Sequence, residues 1–79
     1  MALDCYSEAR SIGESLRQAG FSQWADRMNT AVDRGSTATE ILMGLRETLD
    51  QLRQARDQPN RDLSARVDRL RRAVDQALQ

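Results

Sequence analysis

The side chains able to do chemistry in this chain are twelve carboxylates, twelve guanidinium groups, one thiol and a scatter of hydroxyls. Every basic residue is arginine; the sequence has neither lysine nor histidine. Without histidine there is no Ser-His or Cys-His activation of a nucleophile and no imidazole metal ligand. Without lysine there is no Schiff base and no P-loop ammonium group. Cys5 alone cannot hold zinc, and a single cysteine forms no internal disulfide. Asp26 with Asp33, and Glu47 with Asp50, pair carboxylates, but neither pair belongs to a twelve-residue acidic loop of the kind that holds calcium. This inventory argues against an enzyme, a metal site and a bound cofactor.

What remains is binding. Arg61, Arg66, Arg69, Arg71 and Arg72 crowd the C-terminal third, where a nucleic-acid reading wants them on one face beside aromatics. They interleave with Asp62, Asp68 and Asp75 instead. Asp62–Arg66 and Asp68–Arg72 are four apart, in the order that favours ion pairs within a helix. The net charge is zero, so the basic excess that drives phosphate binding is missing. This segment therefore reads as a solvated, salt-bridged face. The second dense segment, Gly35-Ser36-Thr37-Ala38-Thr39-Glu40-Ile41-Leu42-Met43-Gly44-Leu45-Arg46, offers free N–H groups at a helix start, where an anion can sit. Glu40 repels such an anion, and the segment has no glycine-rich phosphate motif. A capping box between Thr37 and Glu40 accounts for the same residues.

These groups must be positioned by helices. Apolar residues make up 39% of the chain, aromatics 4% and charged residues 30%, a profile of helix formers with little Val or Ile. Seventy-nine residues allow one domain, 1–79, burying about 60% of its unfolded surface. Met1-Ala2-Leu3-Asp4 has neither the basic region nor the apolar run of a signal peptide, and no stretch is apolar enough to span a bilayer, so the expected location is the cytoplasm. Three breaks divide the chain: Ala19-Gly20-Phe21-Ser22, Arg34-Gly35-Ser36-Thr37 and Gln58-Pro59-Asn60. Gly20 and Gly35 suit the left-handed residue after a helix end; Ser22, Thr37 and Asn60 suit N-caps; Pro59 stops a helix. Four helices follow, near Asp4–Ala19, Gln23–Arg34, Ala38–Asp57 and Arg61–Leu78.

Their apolar stripes run Cys5, Ala9, Ile12, Leu16, Ala19; then Trp24, Met28, Ala31, Val32 with Ala25 at the edge; then Ile41, Leu42, Leu45, Leu49, Leu52, Ala55; then Leu63, Val67, Leu70, Val74, with Ala77 and Leu78 finishing it. Gly13 leaves a gap in helix 1 that admits a close helix crossing. Phe21 and Trp24 are expected to anchor helices 1 and 2. Short connections make consecutive helices antiparallel, giving an all-α fold of two hairpins, the shorter helix 1/2 pair packed on the longer helix 3/4 pair. The length mismatch predicts an overhang, leaving Leu52, Ala55, Leu63 and Val67 incompletely covered. Such a strip meets a partner, and a homodimer through the helix 3/4 hairpin is one expectation.

Met43 falls about 140° from Ala38, away from the helix 3 stripe, and shares that outer side with Arg46, Glu47, Asp50 and Arg53. A methionine among charges is an adaptable contact point. These five are the candidate protein-interface residues, with Tyr6, about 100° off the helix 1 stripe, as a sixth. Cys5 is expected to be a small buried hydrophobe.

From Gly20-Phe21 through Trp24-Ala25, Met28 and Ala31 to the Gly35–Arg46 box and Leu49, the sequence resembles a group of short bacterial helical proteins associated with immunity-type partners of secreted toxins. The resemblance covers about thirty residues; the box is its specific part, and residues 52–79 do not add to it. It implies a cytosolic protein that binds and blocks a toxin domain, and it carries over no catalytic residues. The alternatives are a structural or adaptor subunit of a larger assembly and a nucleic-acid-binding regulator.

Overall fold

The computed structural model describes residues 4–79; the N-terminal reading of residues 1–3 lies outside the described residues. Four helices follow one another: α1 (Cys5–Gln18), α2 (Ser22–Arg34), α3 (Ala38–Gln54) and α4 (Arg61–Leu78). Each packs on its neighbours in sequence, and α4 closes the ring against α1. The arrangement is the expected all-α bundle of two hairpins, and among the described residues there is no strand. Among the described residues no helix is long and apolar enough to cross a membrane.

Local chemistry sets the helix ends. Asp4 caps α1 by accepting from the Tyr6 and Ser7 N–H groups. The α1 end is a Schellman turn: Gly20 takes φ +91°, its N–H donates to the Arg17 carbonyl, and the Phe21 N–H donates to the Leu16 carbonyl at 2.7 Å. That turn changes the start of α2. Ser22 is its first residue rather than its cap, and Phe21 in the cap position makes no side-chain hydrogen bond. Gly35 departs from expectation too. Its φ of −68° and ψ of 132° are open to any residue, so the left-handed reading is wrong there. What Gly35 provides is space, because a Cβ would lie 2.3 Å from Ile41 Cγ1 and 2.9 Å from the Ile41 nitrogen.

Thr37 caps α3, accepting from the Glu40 N–H at 3.1 Å, while the Glu40 carboxylate accepts from Ser36 N–H rather than from Thr37. α3 stops at Gln54, short of the expected Asp57. The Gln58 side-chain amide explains this: it donates to the carbonyls of Leu52 and Ala55, both at 2.7 Å, taking over acceptors at the helix end. Asn60 then caps α4 through the Leu63 N–H at 2.8 Å.

The core is one cluster, including Ile12, Leu16, Met28, Leu45, Leu49, Leu70 and Val74, all fully enclosed. Ala25 sits at its centre rather than its edge; Ala19 is exposed, and Cys5 is only half-buried. Leu52, Leu63 and Val67 of the expected overhanging strip are buried within one chain, and Ala55 alone of the four stays half-buried, so no apolar strip is left uncovered there. The turn at Gly20, Phe21 and Trp24 and the segment at Ala55, Arg56 and Asp57 line a common depression at that end of the long hairpin. Gly13 is buried where α1 meets α2, but a Cβ there would meet the Ala25 carbonyl oxygen and Met28 only at 3.8–3.9 Å, so the expected close crossing does not require a glycine.

Candidate functional site: an open seam between α2 and α3

Five ion pairs occur among the described residues, and every one joins two helices. Arg10–Asp33 and Arg17–Asp26 tie α1 to α2. Arg53–Asp68 and Arg71–Asp50 tie α3 to α4, stepping three residues up one helix and three down the other, as antiparallel register requires. Arg66 crosses from α4 to α1, donating to Glu8 at 3.2 Å, Ser11 at 2.8 Å and Ser15 at 3.2 Å. The expected pairs Asp62–Arg66 and Asp68–Arg72 are absent; Arg66 and Asp68 are engaged by other helices instead. The paired side chains stay between 25% and 68% exposed, so each pair is screened by water and its worth lies in joining two helices rather than in strength. The hydrogen bond to Asp50 and then its charge hold the Arg71 guanidinium pKa above its ordinary value. Asp26 does the same for Arg17.

The α2–α3 seam has no ion pair. Arg27 donates to Gln51 across it and stacks its guanidinium 4.7 Å from the Trp24 ring centre. Small residues bring the two helices together: a Cβ on Gly44 would sit 3.4 Å from the Ala31 Cβ. Beside this contact runs an open groove of about 490 Å³, floored by Ala31, Gly35 and Gly44 and rimmed by Arg27 and Arg34 on one side and Glu40 and Glu47 on the other. Thr48, at the groove wall, turns its hydroxyl back to the Gly44 carbonyl at 2.9 Å.

The crest of α3 adjoins the groove through Gly44 and Glu47. Met43, Arg46, Glu47 and Asp50 line a second, smaller depression there, with Gly44, Gln51 and Gln54. Met43 is 50% exposed and Tyr6 37%, and they are the exposed large hydrophobics among the described residues. The structure keeps Met43, Arg46 and Glu47 together on the outer side, as their spacing indicates. Asp50 and Arg53 lie on the same helix but are committed to α4. Tyr6 stands on α1, which packs on α2 and α4, and so does not join the other five. Sequence reasoning missed the α2 wall, namely Arg27, Thr30, Ala31 and Arg34. The available signal was Gly44, a helix-interior glycine one position from Met43, which marks a close backbone approach.

The Gly35–Arg46 box divides between capping and groove. Glu40 occupies the α3 N-terminus with its own carboxylate, which leaves that end filled from within. Among the described residues no cluster of carboxylates and thiol is arranged to hold a metal ion. Burial and then the neighbouring Asp4 charge raise the Cys5 thiol pKa, so it stays protonated. Comparisons with protein-family models, with curated proteins and with solved structures returned no match.

Proposed function

We propose that this chain is a small cytosolic protein-binding module of the immunity or inhibitor type, which blocks a partner such as a toxin domain by covering it. The observation that carries this reading is Met43: a half-exposed thioether, flanked by Arg46 and Glu47, at the border of a groove that the chain itself leaves unfilled. Flexible methionine surrounded by charges suits an interface centre with a polar rim. The apolar anchor supplies affinity, while the charges set orientation and association rate. The mechanism is steric, and it asks no catalytic group of a chain without histidine or lysine. The resemblance of the Gly35–Arg46 box to bacterial immunity-type proteins points the same way.

The test is affinity capture from the source organism's cytosol, comparing the native chain with a Met43→Glu/Arg46→Glu variant and identifying retained proteins by mass spectrometry. One partner held by the native chain and lost by the variant is the expected result. A partner retained equally by both moves the interface elsewhere, and no partner at all ends the reading. Light scattering on the same samples separates it from the homodimer and adaptor alternatives, which require a stable oligomer.

A further inference from the structure

α4 carries five arginines, and the structure sorts them. Arg66 and Arg71 turn inward to α1 and α3. Arg61, Arg69 and Arg72 are exposed and form no ion pair with any described residue. At 3.6 residues per turn these three fall within about 80° of one another, directly opposite the buried stripe of the helix. They span about 17 Å of helix axis, and exposed Ala65 lies between Arg61 and Arg69.

We propose that this stripe docks an acidic helix of a partner protein, whose carboxylates seat on Arg61, Arg69 and Arg72. The face is distinct from the α3 crest. Three features favour carboxylates carried on a helix. The guanidinium fork matches a carboxylate with two parallel hydrogen bonds. Ala65 is exposed between Arg61 and Arg69 and adds little side-chain bulk, so a second helix meets no obstruction there. Asp62 and Asp75 flank the stripe within one turn. A helix can place carboxylates away from those two aspartates and cations opposite them, whereas a phosphate backbone presents negative charge all along its length.

The probe is a synthetic alanine-rich helical peptide with glutamates at four-residue spacing, titrated into the full chain at about 50 mM salt. A glutamine-for-glutamate version and a mixed-sequence DNA duplex run alongside. The glutamate peptide is expected to bind at least about tenfold tighter than the glutamine peptide. Arg69→Gln with Arg72→Gln is expected to remove about tenfold of that affinity with an unchanged far-ultraviolet dichroism spectrum. Arg27→Gln, in the groove, is expected to leave binding unchanged. Equal binding of both peptides, tighter binding of the duplex, indifference to the α4 substitutions, or no binding up to about 1 mM peptide each overturns the proposal.

Discussion

The α3–α4 and α2–α3 seams share α3 and one apolar core, yet they are closed differently. α3 meets α4 through Leu and Val side chains flanked by the Arg53–Asp68 and Arg71–Asp50 pairs. α3 meets α2 through Ala31 against Gly44, with no ion pair and an open groove alongside. Large side chains hold helices apart and fill the space between them, whereas small residues bring backbones together at one point and leave the flanks empty. The polar groups follow. Where the flank is filled, charges from both helices converge; where it is empty, Arg34, Glu40 and Glu47 find no charged partner across the seam. A protein that keeps one seam unsealed presents a concave surface there without loosening its core.

Glycine substitutions sharpen that contrast most. Gly35→Ala drives a methyl into Ile41, side chain and backbone both, at the hinge between α2 and α3. We expect a loss of about 1–3 kcal/mol in urea unfolding. A loss within error means that the Gly35–Ile41 approach relaxes freely, and the seam is looser than drawn.

Arg66→Ala tests whether the α1–α4 seam, bridged by charge as α3–α4 is, depends on its polar tie. It strands Glu8 and removes the hydroxyl contacts to Ser11 and Ser15. Both charged groups are partly solvated, so screening reduces the effect, and we expect about 1–2 kcal/mol. The difference from native is expected to narrow in molar salt. An unchanged midpoint makes the polar tie decorative and the core sufficient.

Gly13→Ala and Gly44→Ala compare a helix contact with room for a methyl against a tighter one. Around Gly13 the nearest atoms to a new Cβ lie 3.8 Å away, so the helix-propensity gain of about 0.5–1 kcal/mol is realised. At Gly44 the 3.4 Å approach to Ala31 cancels part of that gain. Equal stabilisation by the two substitutions contradicts the closer packing assigned to the α2–α3 seam.

The smallest effect is on acid stability. Asp4 has its carboxyl pKa lowered, first by the Ser7 backbone N–H and then by its hydroxyl. A folded value below the unfolded one stabilises the fold above the unfolded value, and that contribution is lost as pH falls through the folded value. Asp4→Asn is therefore expected to flatten the acid limb of stability against pH while leaving the seam contacts unchanged. An acid limb identical to native assigns the acid loss to other carboxylates.

Much of the bundle was legible from local signals. Gly20 marks the α1 end, Thr37 and Asn60 mark helix starts, and four-three spacing marks the core, because each is decided within one or two turns. Ser22 was misread because the Schellman turn draws Phe21 into the cap position. The α3 end was misread because Gln58 caps it through a side chain reaching back over the loop, which no periodicity encodes. Within the candidate site, the angle of Met43 from its own helix stripe was enough to place it outside. Asp50 and Arg53 share that arc, but α4 approaches on their side and engages them. Nothing in the spacing of α3 says on which side α4 will lie.

The sequence by itself determined four helices, their order, most of their caps and the buried stripes, since these depend on propensities and spacings within a segment. It also determined an inventory of side chains without histidine or lysine. Tertiary structure decided which charges are spent and which are free. Arg66 and Arg71 turn inward while Arg61, Arg69 and Arg72 do not, because a side chain several ångströms long pairs with whatever carboxylate a neighbouring helix brings within reach. It also decided that Leu52, Leu63 and Val67 are covered and that the α2–α3 seam is open. Both outcomes depend on how side chains of different size meet across helices, a relation that no single helix contains.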